Sequence, residues 1–125
     1  MNQSTATIYQ NVPEAQVAKL RVFRATHAYR TVTARGQTWR YLACGSGEHT
    51  LVLLPGAFAT ADMWLHLILA LEDTYRILAP DSYTRQDIYD IDAVCTCITA
   101  MLDAEAIEQA TLIGLSAGGG IAQYY

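Results

Sequence analysis

Ser116 sits at the centre of Gly114-Leu115-Ser116-Ala117-Gly118, a spacing that can present a serine as a nucleophile. Thr111, Leu112 and Ile113 before it form a short apolar run with two β-branched residues, the composition of a buried strand. From Ala117 onward the chain can start a helix. The pentapeptide between them must turn the chain in almost no length, so the serine hydroxyl projects from the end of the sheet. Glycines stand two residues before and two after the serine, where a side chain would crowd neighbouring backbone. A G-x-S-x-G set between strand and helix is a nucleophile elbow. The same residues also admit a plain Ser-Gly-rich turn with no chemistry. No lysine follows the glycines, so a phosphate-binding P-loop is excluded.

The elements that must position this corner are legible upstream. Residues 28–34 and 37–43 alternate in β-rich fashion around Arg35-Gly36, which predicts a hairpin. Cys44-Gly45-Ser46-Gly47 is a tight connection. Residues 50–54 are nearly all apolar, as in the centre of a parallel sheet, and run into Pro55-Gly56-Ala57-Phe58. Residues 61–71 predict a helix whose inward face carries Met63, Trp64, Leu67, Ile68 and Leu71, with Asp62 in its first turn. Residues 75–79 read as a strand ended by Pro80-Asp81-Ser82. Residues 88–102 read as a helix with Ile91, Val94, Cys95, Ile98, Met101 and Leu102 inward. Strand, helix, strand, helix, strand at this spacing predicts an α/β fold, a doubly wound, mostly parallel sheet opened by an antiparallel hairpin. At the start of the chain, residues 1–11 are polar and expected to be poorly ordered. Residues 12–23 carry Val17, Leu20 and Phe23 at helical spacing after Pro13, open to a short helix or an extended arm.

Composition bounds the possibilities. The 125 residues are 52% hydrophobic and only 16% charged, a globular chain and one domain at most. A net charge of −4 argues against nucleic acid or an anionic membrane as partner. No apolar run approaches a membrane span, and the polar N-terminus has no secretory h-region. Three cysteines make no disulfide framework. Cys95 and Cys97, two apart on a helix, point to different faces and suit no shared metal. All three read as buried or half-buried thiols in a reducing, cytoplasmic compartment. No metal or organic cofactor is implied.

The chain resembles the α/β-hydrolase fold superfamily over residues 107–119 (I-E-Q-A-T-L-I-G-L-S-A-G-G), with further likeness in L-V-L-L-P-G at residues 51–56 and R-I-L-A-P-D at residues 76–81. The resemblance implies that Ser116 attacks an acyl carbon. It also implies that the backbone amides of Ala117 and Ala57 hold the oxyanion, with Gly114 and Gly118 shaping the elbow. Phe58 is the alternative to Ala57 as second donor. Many members carry His-Gly where this chain has Pro55-Gly56. Asp81 matches a position where members often have an aspartate with a loop role.

In that superfamily the acid and then the histidine follow the nucleophile, but the nine residues after Ser116 contain no His, Asp or Glu. His27 and His49 read as solvated, and His66 as a solvent or rim residue of its helix. One reading is therefore the N-terminal fragment of a serine hydrolase for a small-molecule ester or related acyl substrate, inactive alone. Residues 1–26 would then be an arm or short helix and residues 27–125 a truncated domain. Its elbow strand would be left as an open edge able to self-associate. The alternative is a complete, non-catalytic interaction scaffold. Phe23-Arg24-Ala25-Thr26 and Thr60-Ala61-Asp62-Met63-Trp64 resemble the maspardin-related branch, whose members include binding proteins.

Overall fold

The computed structural model describes residues 8–83 and 90–125. The expected disorder at residues 1–7 and most of the loop after Pro80-Asp81-Ser82 therefore lie outside the described residues, as does the start of the helix expected at residue 88. Helix α1 (Glu14–Thr26) is followed by strands β1 (Tyr29–Ala34), β2 (Gln37–Cys44) and β3 (Thr50–Leu54). A 3₁₀ turn (Ala61–Trp64) leads into α2 (Leu65–Leu71). Then come β4 (Arg76–Pro80), α3 (Ile91–Ala104), β5 (Thr111–Gly114) and α4 (Ala117–Tyr124).

The strands form one sheet in the order β1-β2-β4-β3-β5. β1 and β2 are an antiparallel hairpin, and β2 also runs antiparallel to β4. β4, β3 and β5 are parallel. The hairpin turn has Arg35 and Gly36 both at positive φ, 50° and 73°, the type I′ geometry that matches the twist of two-residue hairpins. This is the α/β sheet expected, a mixed sheet in which an antiparallel hairpin is followed by parallel strands.

Alternation along the strands builds a core on each face. Val52, Leu54, Leu78, Trp39 and Tyr41 pack under Val94, Cys97, Ile98 and Met101 of α3 and Ile121 of α4. Leu51, Leu53, Ile77, Ala79 and Leu42 face Phe23 of α1, Ala61, and Leu65 and Ile68 of α2. A strand buried on both sides has no polar face to show, which is why β3 is apolar from Leu51 to Leu54.

Three inward-face expectations need correcting. In the helix after β3, Leu65 and Ile68 are buried, whereas Met63 is exposed and Leu67 only half-buried. Its first turn is 3₁₀, with three residues per turn instead of 3.6, so the stripe shifts phase. In α3, Cys97 is buried and Cys95 only half-buried. Asp90 fixes where that helix begins by accepting from the amides of Asp92 and Ala93. β5 is half-buried, not buried, because it lies at the edge of the described sheet.

One polar cluster sits inside. Glu105 is 7% exposed, at the C-terminal cap of α3. Its carboxylate accepts both oxygens' bonds from Arg30 Nη1 at 2.7 Å, with Tyr41 Oη at 2.8 Å and Arg76 Nη2 at 2.9 Å. Burial alone would raise its pKa. The hydrogen bonds from Arg30 and Tyr41, with the charges nearby, outweigh that and hold the carboxyl below its ordinary range. Burial, then the bond to Glu105, pushes the Tyr41 phenol up to about 12.

Candidate active site

The parallel strands β3, β4 and β5 end at Leu54, Pro80 and Gly114, and the segments that follow all gather at that edge of the sheet. Ligand sites of open α/β sheets form at this carboxyl edge. Gly114 pairs with Leu54, and the Leu115 amide extends the ladder by donating to Leu54 O at 3.1 Å. Gly118 N then donates to Leu115 O at 2.9 Å, closing a turn whose second residue is Ser116. Ser116 has φ 54° and ψ −120°, the type II′ conformation that usually belongs to glycine. Holding an L-residue there costs about 1–3 kcal/mol.

The hydroxyl is left available. Ser116 is the N-cap of α4, where a serine normally bonds back to the first helical amides, yet it makes no side-chain capping bond. The residue is exposed. The two elbow glycines are required by close approach. A Cβ on Gly114 would lie 2.1 Å from Gly118 O, and one on Gly118 would lie 2.2 Å from Leu54 O and 2.6 Å from Pro55 O. No side chain fits at either place, and the start of α4 thereby rests on the segment that follows β3.

That segment passes beside the serine: a Cβ built on Gly56 would sit 3.8 Å from Ser116 Cβ. Ala57 follows it and Ala117 follows Ser116. Among the described residues neither alanine amide donates a hydrogen bond. Ala117, as the first residue of its helix, has no intrahelical acceptor to use. Phe58 differs. Its φ is +62°, its side chain is 87% exposed, and its amide donates to Ser82 Oγ at 3.1 Å. The Phe58 amide is thus occupied, whereas that of Ala57 makes no hydrogen bond among the described residues.

The loop after β4 stitches this segment in place. Ser82 N donates to Ala59 O at 2.8 Å, and Asp81 Oδ1 accepts from Ala61 N at 2.8 Å. Asp81 Oδ2 accepts from Arg40 Nε at 2.7 Å, and its carbonyl accepts from Trp39 Nε1 at 2.7 Å. Asp81 thus plays a loop role, tying β2 to the turn after β3. Ser82 holds the backbone of Phe58 and Ala59, contacts that sequence reasoning missed. Its only signal is its place just past the carboxyl end of a central strand.

The histidines are arranged differently from expectation in one case. His49 and His66 are exposed as expected, with His66 Nδ1 3.2 Å from Lys19 Nζ. His27 is not solvated. Its side chain is only 9% exposed, its ring stacks on Phe23 at 4.1 Å, and Nε2 lies 2.7 Å from Glu72 Oε2. Glu72 is far away in sequence, so nothing near His27 announces its burial. His27 and His49 belong to the amino edge of the parallel strands, beside the starts of β4 and β3, at the opposite end from Ser116. Cys44 lies at that same edge, opposite Ile77. Burial and then the Glu72 charge push its thiol up to about 11.

Comparison with known proteins agrees with this architecture. The alpha/beta hydrolase family model matches residues 51–125, and the chain belongs to that family. It is 30% identical over 105 residues to 3-oxoadipate enol-lactonase 2 of Acinetobacter baylyi, covering 78% of this chain and 39% of the lactonase. Epoxide hydrolase A from Mycobacterium thermoresistibile superposes with a TM-score of 0.69 at 29% identity, covering 79% of this chain and 34% of that one. Carboxylesterase CesB from Bacillus subtilis superposes at 0.68 with 23% identity over 86% of this chain and 41% of its own, a likeness of fold. The chain thus spans about two fifths or less of the relatives it matches. No helix among the described residues is long and apolar enough to cross a membrane.

Proposed function

We propose that this chain carries the nucleophile half of a serine hydrolase acting on a small ester or related acyl substrate. The observation that carries the reading is Ser116: exposed, uncapped, and held at φ 54° between a strand and a helix. In the proposed reaction Ser116 Oγ attacks the acyl carbon, the carbonyl oxygen gains the negative charge, and the amides of Ala57 and Ala117 donate to it. The alcohol or other leaving group departs, leaving an acyl-serine that water hydrolyses. Removing one such donor typically costs about 100- to 1,000-fold in kcat.

The base and its carboxylate come, in this reading, from sequence following Tyr125, in the order the family uses. These 125 residues without it are inactive or nearly so, since an unassisted serine hydroxyl is a weak nucleophile. The open edge of β5 is then where the rest of the sheet continues, and the 125-residue piece self-associates through it. A monomeric, cooperative melt of that piece would contradict the self-association. A fluorophosphonate probe tests the function: the full-length protein should be labelled, and Ser116→Ala should abolish labelling. A folded full-length protein that stays unlabelled would instead favour a non-catalytic scaffold.

A further inference from the structure

We propose that His27, Cys44 and Glu72 form a site for a borderline-soft divalent cation of the zinc type, a clamp at the amino edge of the sheet. The three ligand atoms lie within 4.8 Å of one another. They come from three separate elements: His27 caps the C-terminus of α1, Cys44 ends β2, and Glu72 caps the C-terminus of α2. One nitrogen, one sulfur and one oxygen make a donor set that zinc accepts, and that calcium and magnesium, which take oxygen, do not.

The imidazole is already oriented for coordination. His27 Nδ1 lies 3.0 Å from Phe23 O and 3.0 Å from Thr26 Oγ1. A carbonyl can only accept, so Nδ1 donates to Phe23 O and Nε2 is the nitrogen that faces Glu72; on binding, the ion takes the place of the proton between Nε2 and Oε2. That is the outer-shell arrangement typical of metal-bound histidines, whose second nitrogen donates to a carbonyl or carboxylate. Phe23 stacking fixes the ring plane at 4.1 Å. Cys44, Tyr75 and Leu71 pack against the same apolar cluster as Phe23, so the site has a dry wall. The C-terminal end of α1 adds a partial negative charge that favours a cation.

The movement needed is on the order of 1 Å. Bonds of about 2.0–2.3 Å place tetrahedral ligands roughly 3.3–3.6 Å apart. His27 Nε2 and Glu72 Oε2, now 2.7 Å apart, must open by less than about 1 Å. Coordination deprotonates the thiol outright. Glu72, the more exposed ligand at 26%, marks the side from which the ion enters and where a water completes the tetrahedron. The clamp is independent of the hydrolase reading: β3 alone, between its Thr50 and Leu54 ends, separates the two edges of the sheet by roughly 13 Å.

The test is titration of the reduced, metal-stripped full-length protein with Zn²⁺ and Co²⁺. The clamp predicts one ion bound at this site, a cobalt spectrum of tetrahedral intensity, and a thiolate-to-cobalt charge-transfer band. That band should vanish in Cys44→Ser and persist in Cys97→Ser. Affinity should fall at least tenfold in His27→Gln, and zinc at a hundredfold excess over its Kd should raise Tm by about 5–10 °C. Should a variant fail to fold, X-ray absorption of the zinc-loaded wild type must still show one sulfur with nitrogen and oxygen neighbours. Absence of binding, a cobalt spectrum without a sulfur band, or a band unchanged in Cys44→Ser would overturn the proposal and leave a half-buried His27–Glu72 pair.

Discussion

Two glycines in one helical turn should respond oppositely to the same substitution. Gly118→Ala puts a Cβ 2.2 Å from Leu54 O and 2.6 Å from Leu54 C and Pro55 O, where ordinary contact begins at 3.4 Å. The atoms in the way are backbone of a central strand and cannot swing aside. The shortfall exceeds 1 Å, so α4 must retreat from β3 or the strand must bend. Overpacking of this kind costs about 1–3 kcal/mol, more than the roughly 1 kcal/mol that alanine gains over glycine in a helix. Gly120→Ala, by contrast, meets nothing within 4 Å and should keep the helical gain, stabilising by up to about 1 kcal/mol. Denaturant melts of the full-length protein at matched m-values read both changes. Retreat of α4 also carries the Ala117 amide away from Ala57. A displacement of about 1 Å at a reacting centre can lower turnover by 100-fold, so fluorophosphonate labelling should slow in Gly118→Ala and persist in Gly120→Ala. Equal stabilities for the two variants would refute the claim that Gly118 is fixed by close approach to Leu54.

Further outcomes follow from other parts of the structure. Ser116→Gly should stabilise the protein by about 1 kcal/mol, because glycine relieves the strain of φ 54°, while removing all labelling; a destabilised variant would contradict the strain. Glu105→Gln should destabilise by about 2 kcal/mol at neutral pH, since it weakens bonds from Arg30, Tyr41 and Arg76. The Glu105 pKa is depressed in the folded state, so its contribution is present above the ordinary carboxylate range and lost as pH falls through the folded value. Acid unfolding should accordingly be shallower in Glu105→Gln than in wild type. Trp64 Nε1 is buried with no hydrogen-bond partner among the described residues, so Trp64→Phe should be neutral or stabilising by melt, with cavity formation offsetting the relief.

What the chain reveals about its own fold follows from how local each signal is. β3 is legible because both faces of a central parallel strand are buried, leaving an apolar run. The hairpin is legible because Arg35-Gly36 separates two alternating segments. The turn at Ser116 is legible because its glycines are demanded by backbone atoms within a few residues or on the adjoining strand. The inward face of the helix after β3 is not, since a 3₁₀ first turn changes the period that the pattern assumes. Contacts between distant residues are invisible as well. His27 is paired with Glu72, 45 positions on, and the amide of Phe58 is taken by Ser82, 24 positions on. Neither partner has a motif to mark it. Asp81 lies between these cases: its place past the end of β4 suggests a loop role, but its partners Arg40 and Ala61 emerge only when β2 and β3 flank that strand.

The central claim is a covalent one, and trapping it is the most direct measurement. The full-length protein should be mixed with an activated ester, quenched during the first turnover, and digested for peptide mapping by mass spectrometry. One acyl group on the peptide containing Ser116, absent from Ser116→Ala, is the predicted result. An acyl group elsewhere, or substrate hydrolysed at an undiminished rate by Ser116→Ala, would contradict it.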